Sequence, residues 1–89
     1  MSSQNITISG SSYIDISTPL GLIKDSSYYI STNLSTVFLV ASLTQPLDSK
    51  YGVEISEINN NFLVTKGVET LYLRSSNPNT EVEIVVTEY

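Results

Sequence analysis

The sequence predicts an all-β fold: a small antiparallel β-sandwich or barrel of about eight short strands, in one domain spanning residues 1–89 with residues 1–4 as an unstructured end. Three observations carry this. Apolar and polar residues alternate over short runs, as on a half-buried strand, and no segment sustains an apolar period of 3.6. Clusters of Gly, Pro, Asn and Ser separate the runs, which is turn chemistry. Residues 36–42 hold five consecutive apolar side chains, Val37, Phe38, Leu39, Val40 and Ala41. That run is far too short for a membrane, which needs about 20 apolar residues, and reads as a central strand apolar on both faces. One face meets the core. The other needs cover from a second sheet or another subunit.

The elements follow in order. Residues 5–8 alternate as a strand, and Gly10 ends it. Residues 13–17 resume, with Ile14 and Ile16 on one face and Asp15 on the other. Pro19 and Gly21 set a turn at 18–21, and a short strand is expected at 22–24. A turn at 25–27 leads into a strand at 28–31, then a polar turn and the central strand. Residues 43–52 form the longest loop, holding Pro46 and Gly52, with a helical turn around Asp48; loops of this length tend to carry function. Val53 and Ile55 point inward from the next strand. Asn59, Asn60 and Asn61 tolerate left-handed backbone and mark a turn. Strands follow at 62–65 and 69–75, with a tight turn at Lys66 and Gly67 between them. In the second, Leu71 and Leu73 face inward and Thr70, Tyr72 and Arg74 outward. The last strand, 80–88, turns Val82, Ile84 and Val86 to one side and Glu81 and Glu83 to the other, where charge discourages edge pairing. Strands 69–75 and 80–88 are expected to pair as a hairpin.

Composition excludes several functions. A chain of 89 residues has a thin core, and small domains add disulfides, metal or oligomerisation. With no Cys and no His, thiolate sites and the commonest metal ligand and general base are missing, so oligomerisation is the staple left. The net charge is −5, and Lys24, Lys50, Lys66 and Arg74 are scattered. That gives no basic patch for nucleic acid and argues against anionic membranes. Residues 1–5 show no secretory signal peptide. The sequons at Asn5 and Asn33 are read as chance.

No catalytic, cofactor or metal residues are assigned, and no enzyme is expected. Carboxylate pairs such as Glu54 with Glu57, or Glu81 with Glu83, are read as solvated faces, because a glycosidase acid needs a sheltered site. No Asp-x-Asp-x-Asp loop offers calcium a cage. The six tyrosines outnumber the two phenylalanines. Tyrosine joins a large apolar face to a polar tip and is enriched at interfaces. Tyr28 and Tyr29 must point to opposite faces, and Tyr72 alternates outward with Arg74. The candidate contact residues are therefore Tyr28, Tyr29, Tyr51, Tyr72 and Arg74, for a protein or a glycan; the absence of Trp weakens the glycan reading.

Residues 33–89 also carry a pattern: Asn33-x-Ser35, Val37-Phe38-Leu39, Ser42-x-x-x-Pro46, Gly52, then Val64-x-x-Gly67-x-x-Thr70-Leu71-Tyr72-Leu73-Arg74-Ser75, closing on Val86-Thr87-Glu88. It resembles small β-rich accessory virion proteins of tailed bacteriophages, the capsid decoration or cement proteins and the head-fibre or collar domains. The resemblance implies a non-enzymatic structural component of the virion, assembled in the host cytoplasm. It implies a homo-oligomer, a trimer, bound to the major capsid protein or another virion protein. Tyr72 stands where such proteins often have Trp. The alternative is a carbohydrate- or receptor-binding β module. A small adaptor in a pilus or secretion apparatus is a third reading.

Overall fold

The computed structural model describes residues 3–32, 35–56 and 60–89. Their elements are β1 (Ser3–Ile8), β2 (Ile14–Asp15), α1 (Ser17–Leu20), β3 (Ser27–Thr32), β4 (Val37–Ser42), β5 (Val53–Ile55), β6 (Phe62–Thr65), β7 (Thr70–Ser75) and β8 (Val82–Glu88). Two four-stranded sheets form, in the orders β1-β8-β3-β6 and β2-β7-β4-β5, with every pairing antiparallel. The all-β expectation holds, as a sandwich.

The pairing has a simple rule. β4 pairs with β5, β3 with β6, β2 with β7 and β1 with β8. The chain is one long hairpin whose tip is the loop between β4 and β5. The double ribbon is rolled so that its rungs fall alternately into two sheets, which β8–β3 and β7–β4 contacts then close. This is the jelly-roll arrangement of a two-sheet β protein.

The core lies between the sheets. Ile8, Ile30, Ile84 and Val86 come from one side, Val37, Leu39, Leu71 and Leu73 from the other, and Ile16 and Leu20 seal one end. The inward residues named for β8 and β7 hold their places. Val53 does not: it lies on the exposed rim, while Ile55 is buried.

Several local expectations are overturned. β7 and β8 are not a hairpin but lie in different sheets, because the rolled ribbon separates neighbours in sequence. β8 is an interior strand, so Glu83 guards no edge. The strand expected at 13–17 stops at Asp15. Its Oδ1 accepts the backbone N–H groups of Ser17 (2.7 Å) and Thr18 (3.1 Å), bending the chain into α1. Gly21, at φ 63°, ends that turn in the left-handed region that glycine enters freely. Residues 22–24 form no strand: Ser26 N–H bonds back to the Ile23 carbonyl, and Asp25 sits at φ 70°. Ser3 and Gln4 belong to β1 rather than to a loose end. Asn61, at φ 55°, has the expected left-handed turn geometry. Asn33, Glu57 and Asn59 lie outside the described residues.

Candidate functional site

The outer face of the β2-β7-β4-β5 sheet holds the most distinctive chemistry. β4 is apolar on both faces, so Val37 and Leu39 enter the core while Phe38 and Val40 point away from it. Phe38 stands in register between Arg74 on β7 and Glu54 on β5. Val40 stands opposite Tyr72. Tyr13 joins them, and Tyr13, Val40 and Tyr72 are buried with Phe38 packed against them. The Arg74 guanidinium carbon lies 5.0 Å from the Phe38 ring centroid, 5.4 Å from Tyr13 and 5.6 Å from Tyr51. An arginine so placed is held by the negative faces of the rings. Its Nε is buried without a hydrogen-bond partner.

The cover over this cluster is the chain's own loop, 43–52, which has neither strand nor helix. Four fastenings hold it like a strap. Gln45 Nε2 donates to the Tyr13 carbonyl (2.6 Å). The Tyr13 hydroxyl donates to the Lys50 carbonyl. Ser12 Oγ donates to Asp48 Oδ2 (3.4 Å). Tyr51 packs edge-on against Phe38, centroids 5.2 Å apart. Pro46 is buried, and Lys50 N–H closes a turn onto the Leu47 carbonyl around Asp48. At the far end Gly52 passes so close to β4 that a Cβ there would lie 2.0 Å from the Leu39 carbonyl oxygen. Glycine is required here for proximity, not for its φ. Thus the outer face of β4 is covered by its own loop; no second subunit is needed for that purpose.

The strap's remaining side chains point the other way. Leu43 and Leu47 are 72% and 76% exposed, and Tyr51 keeps 75% of its surface in water although its ring meets Phe38. A loop with this many attachments holds Leu43 and Leu47 in water in a defined place.

The five candidate contact residues do not gather on one surface. Tyr72 and Arg74 point away from the main core as expected, but both are only 8% exposed beneath the strap. Tyr28 is in the core, where its hydroxyl accepts the Ile23 N–H at 2.8 Å. Tyr29 is on the opposite sheet's outer face, 5.7 Å from Tyr89. Tyr51 alone of the five is fully on the surface. Leu43 and Leu47 are not among the five, although the length of their loop singles it out. Their signal is that two leucines stand there among polar residues with no strand alternation to turn them inward.

The structure offers little chemistry beyond this. One cleft is lined by Gln4, Gly21, Ile23, Tyr28, Val86 and Glu88, and a second by Ser35, Thr36, Ser75, Ser76, Asn77 and Thr80. Neither brings two acidic or two basic groups together. Among the described residues no cluster of three acidic side chains could hold a metal ion, and no helix is long and apolar enough to cross a membrane. The proton affinity of Asp15 is altered by its surroundings. Burial acts to raise its pKa, but hydrogen bonds from the Thr18 side chain and from the Thr18 and Ser17 backbone, helped by the charge of Lys66, leave it below the ordinary value. The same bonds stabilise the turn into α1. Comparison with models of protein families, with curated proteins and with solved structures finds no match.

Proposed function

We propose that this chain is a non-enzymatic structural component of a tailed-bacteriophage particle, a decoration, cement or head-fibre protein that works by burying surface against other proteins. The observation that supports this reading is the strap, held down by Gln45, the Lys50 carbonyl and the ring of Tyr51 while Leu43 and Leu47 stand in water. Jelly rolls serve as viral capsid domains and as lectins, and fold alone does not choose between them. Exposed apolar side chains on one fastened loop favour a protein partner. In this reading the strap contacts the shell or a neighbouring subunit, and the trimer implied by the resemblance supplies the oligomer a thin core calls for. Such a contact needs to bury at least about 1,000 Å² in total.

The test is the Leu43→Ser/Leu47→Ser double variant beside the parent chain. Native mass spectrometry across a concentration series should show a trimeric unit, alone or joined to others, for the parent. The variant should lose it, or lose at least tenfold in its stability, with an unchanged melting temperature. In a density gradient of lysate from phage-producing cells, an antibody to the chain should find the parent in the particle band and the variant free. A chain found only free, in parent and variant alike, refutes the virion reading. Retention of the parent on an immobilised glycan, lost with Tyr51→Ala, would install the lectin alternative in its place.

A further inference from the structure

We infer that the free edge of β1 is self-complementary and pairs antiparallel with the same edge of a second copy, joining two β1-β8-β3-β6 sheets into one across a twofold axis. The inference is independent of the strap, which belongs to the other sheet.

The four sheet edges are unequal. β1 has six residues, β6 four, β5 three and β2 two. Natural edges are blunted by shortness, charge or proline. β2, β5 and β6 are short. β1, with the sequence SQNITI, has neither charge nor proline, and Ser3, Gln4, Asn5 and Thr7 are exposed.

Hydrogen bonding elsewhere in the sheet fixes which β1 groups face the open side. Tyr89 N–H donates to the Ser27 carbonyl at 2.9 Å, so these two form a hydrogen-bonded pair. Antiparallel ladders alternate, so Thr87 and Val85 also turn their backbone groups toward β3. Val82, Ile84 and Val86 then turn theirs toward β1, where they meet Ile8, Ile6 and Gln4. The N–H and C=O groups of Ser3, Asn5 and Thr7 are left pointing outward.

That set fits itself. With the axis at Asn5, Asn5 opposes Asn5 of the second copy, and Ser3 and Thr7 oppose Thr7 and Ser3. Three opposing pairs with two bonds each use every outward backbone group of both strands. An axis at Ile6 would leave Ser3 opposite a residue beyond the strand. An axis between the two residues would put the core face of one sheet beside the solvent face of the other. The side chains agree with the Asn5 register. Ser3 beside Thr7 repeats the hydroxyl rungs the sheet already makes, Ser3 with Thr87 at 3.0 Å and Ser27 with Thr65 at 2.8 Å. Charge does not oppose the pairing, although each copy carries −5. Strand spacing and rise place the two Glu83 side chains roughly 20 Å apart, about two screening lengths at physiological salt.

Two variants test the register. Asn5→Pro removes an outward N–H and no bond to β8, the setting in which an edge strand tolerates proline. It should weaken the dimer at least tenfold in sedimentation velocity while the melting temperature stays close to that of the parent. Asn5→Cys introduces a single thiol into a cysteine-free chain. The opposing Cα atoms would stand about 5.5 Å apart, within disulfide range. Mild oxidation should therefore give a covalent dimer much faster than the exposed control Asn79→Cys. Asn5→Cys also keeps the test decisive should the proline variant unfold. A parent chain that shows no twofold species at about 1 mM, or Asn5→Cys crosslinking no faster than Asn79→Cys, overturns the inference. So does a folded Asn5→Pro variant that dimerises as before. Loss of the strap-dependent trimer with the dimer intact would bear on the proposed function alone.

Discussion

Replacing Gly52 by alanine should detach the strap, and the structure gives the size of the effect. The new Cβ would sit 2.0 Å from the Leu39 carbonyl oxygen and 2.6 Å from Val40 Cγ2, where real Cβ contacts stay beyond 3.0 Å. One backbone must retreat by about 1 Å. β4 is hydrogen-bonded on both sides, to β5 and β7, so the segment at 51–52 yields. If it moves, three attachments are lost or weakened. The Tyr13 hydroxyl bond to Lys50 and the Val53–Leu39 pairing are each worth about 1 kcal/mol, and the Tyr51–Phe38 ring contact about 0.5–1.5 kcal/mol. If it does not move, overpacking costs about 1–3 kcal/mol. The first route gives about 2.5–3.5 kcal/mol and the second about 1–3 kcal/mol, and at about 4–8 °C per kcal/mol for a domain of this size the melting temperature should fall by roughly 4–28 °C. Circular dichroism melts would measure it. Gly67→Ala is the control, because nothing lies within 4 Å of a Cβ there and Gly67 has no positive φ; it should be neutral or stabilising by up to about 1 kcal/mol. A Gly52→Ala melting temperature within 2–3 °C of the control, with unshifted Phe38 and Tyr51 ring resonances, would refute the close approach (the thresholds are about one half of a kcal/mol on the same scale).

Two further outcomes follow from the same face and its neighbouring turn. Three rings give Arg74 roughly 1.5–3 kcal/mol of cation–π attraction, while its unpartnered buried Nε costs about 1–3 kcal/mol. These nearly cancel, so Arg74→Met, which keeps the packing, should change stability by less than about 1 kcal/mol, whereas Arg74→Ala should cost about 2–4 kcal/mol through the void; denaturant melts giving equal losses for both would show that the charge dominates. Asp15 has a lowered folded pKa, so its contribution is present above the unfolded value of about 3.9 and fades as pH falls through the folded value. Asp15→Asn should therefore be less stable than the parent at pH 7, with the gap closing below about pH 4; a gap that stays constant in urea melts down to pH 2 would show that the carboxylate charge is not the cause.

How far the sequence could be read depended on the range of the interaction. Alternation names which residues of a strand share a face, and Ile84, Val86, Leu71 and Leu73 are buried as their spacing requires. Alternation says nothing about partners. In the rolled ribbon the partner of β1 is β8, with Ser3 beside Thr87, and no local rule links residues 84 apart. The β7–β8 hairpin expectation fails for this reason: a short polar link suggests the local pairing, whereas the two strands lie in different sheets. The outward assignment of Tyr72 and Arg74 was right in direction. Their burial depended on where a ten-residue loop would lie, which was not readable until Tyr13, 37 residues before Lys50, supplied its hydroxyl. β2 was shortened by a side-chain effect that could be foreseen, since Asp followed by Ser-Thr-Pro is turn chemistry as well as strand alternation.

The strap also separates two properties that exposed apolar side chains usually entangle. A leucine on a core-facing strand cannot change without cost to the fold. Leu43 and Leu47 face water from a loop held down by Gln45, Lys50, Tyr51 and Gly52, so, Tyr51 apart, the side chains that hold the segment and those that face water are different. Substitutions at Gly52, Tyr13 or Arg74 should then impair assembly only as far as they loosen the strap, with melting temperature and association falling together. Substitutions at Leu43 or Leu47 should impair association alone. If the two leucine variants instead lower the melting temperature by more than about 5 °C, roughly 1 kcal/mol for this chain length, the leucines are part of the fold's own packing, and the protein-contact reading of the strap loses its support.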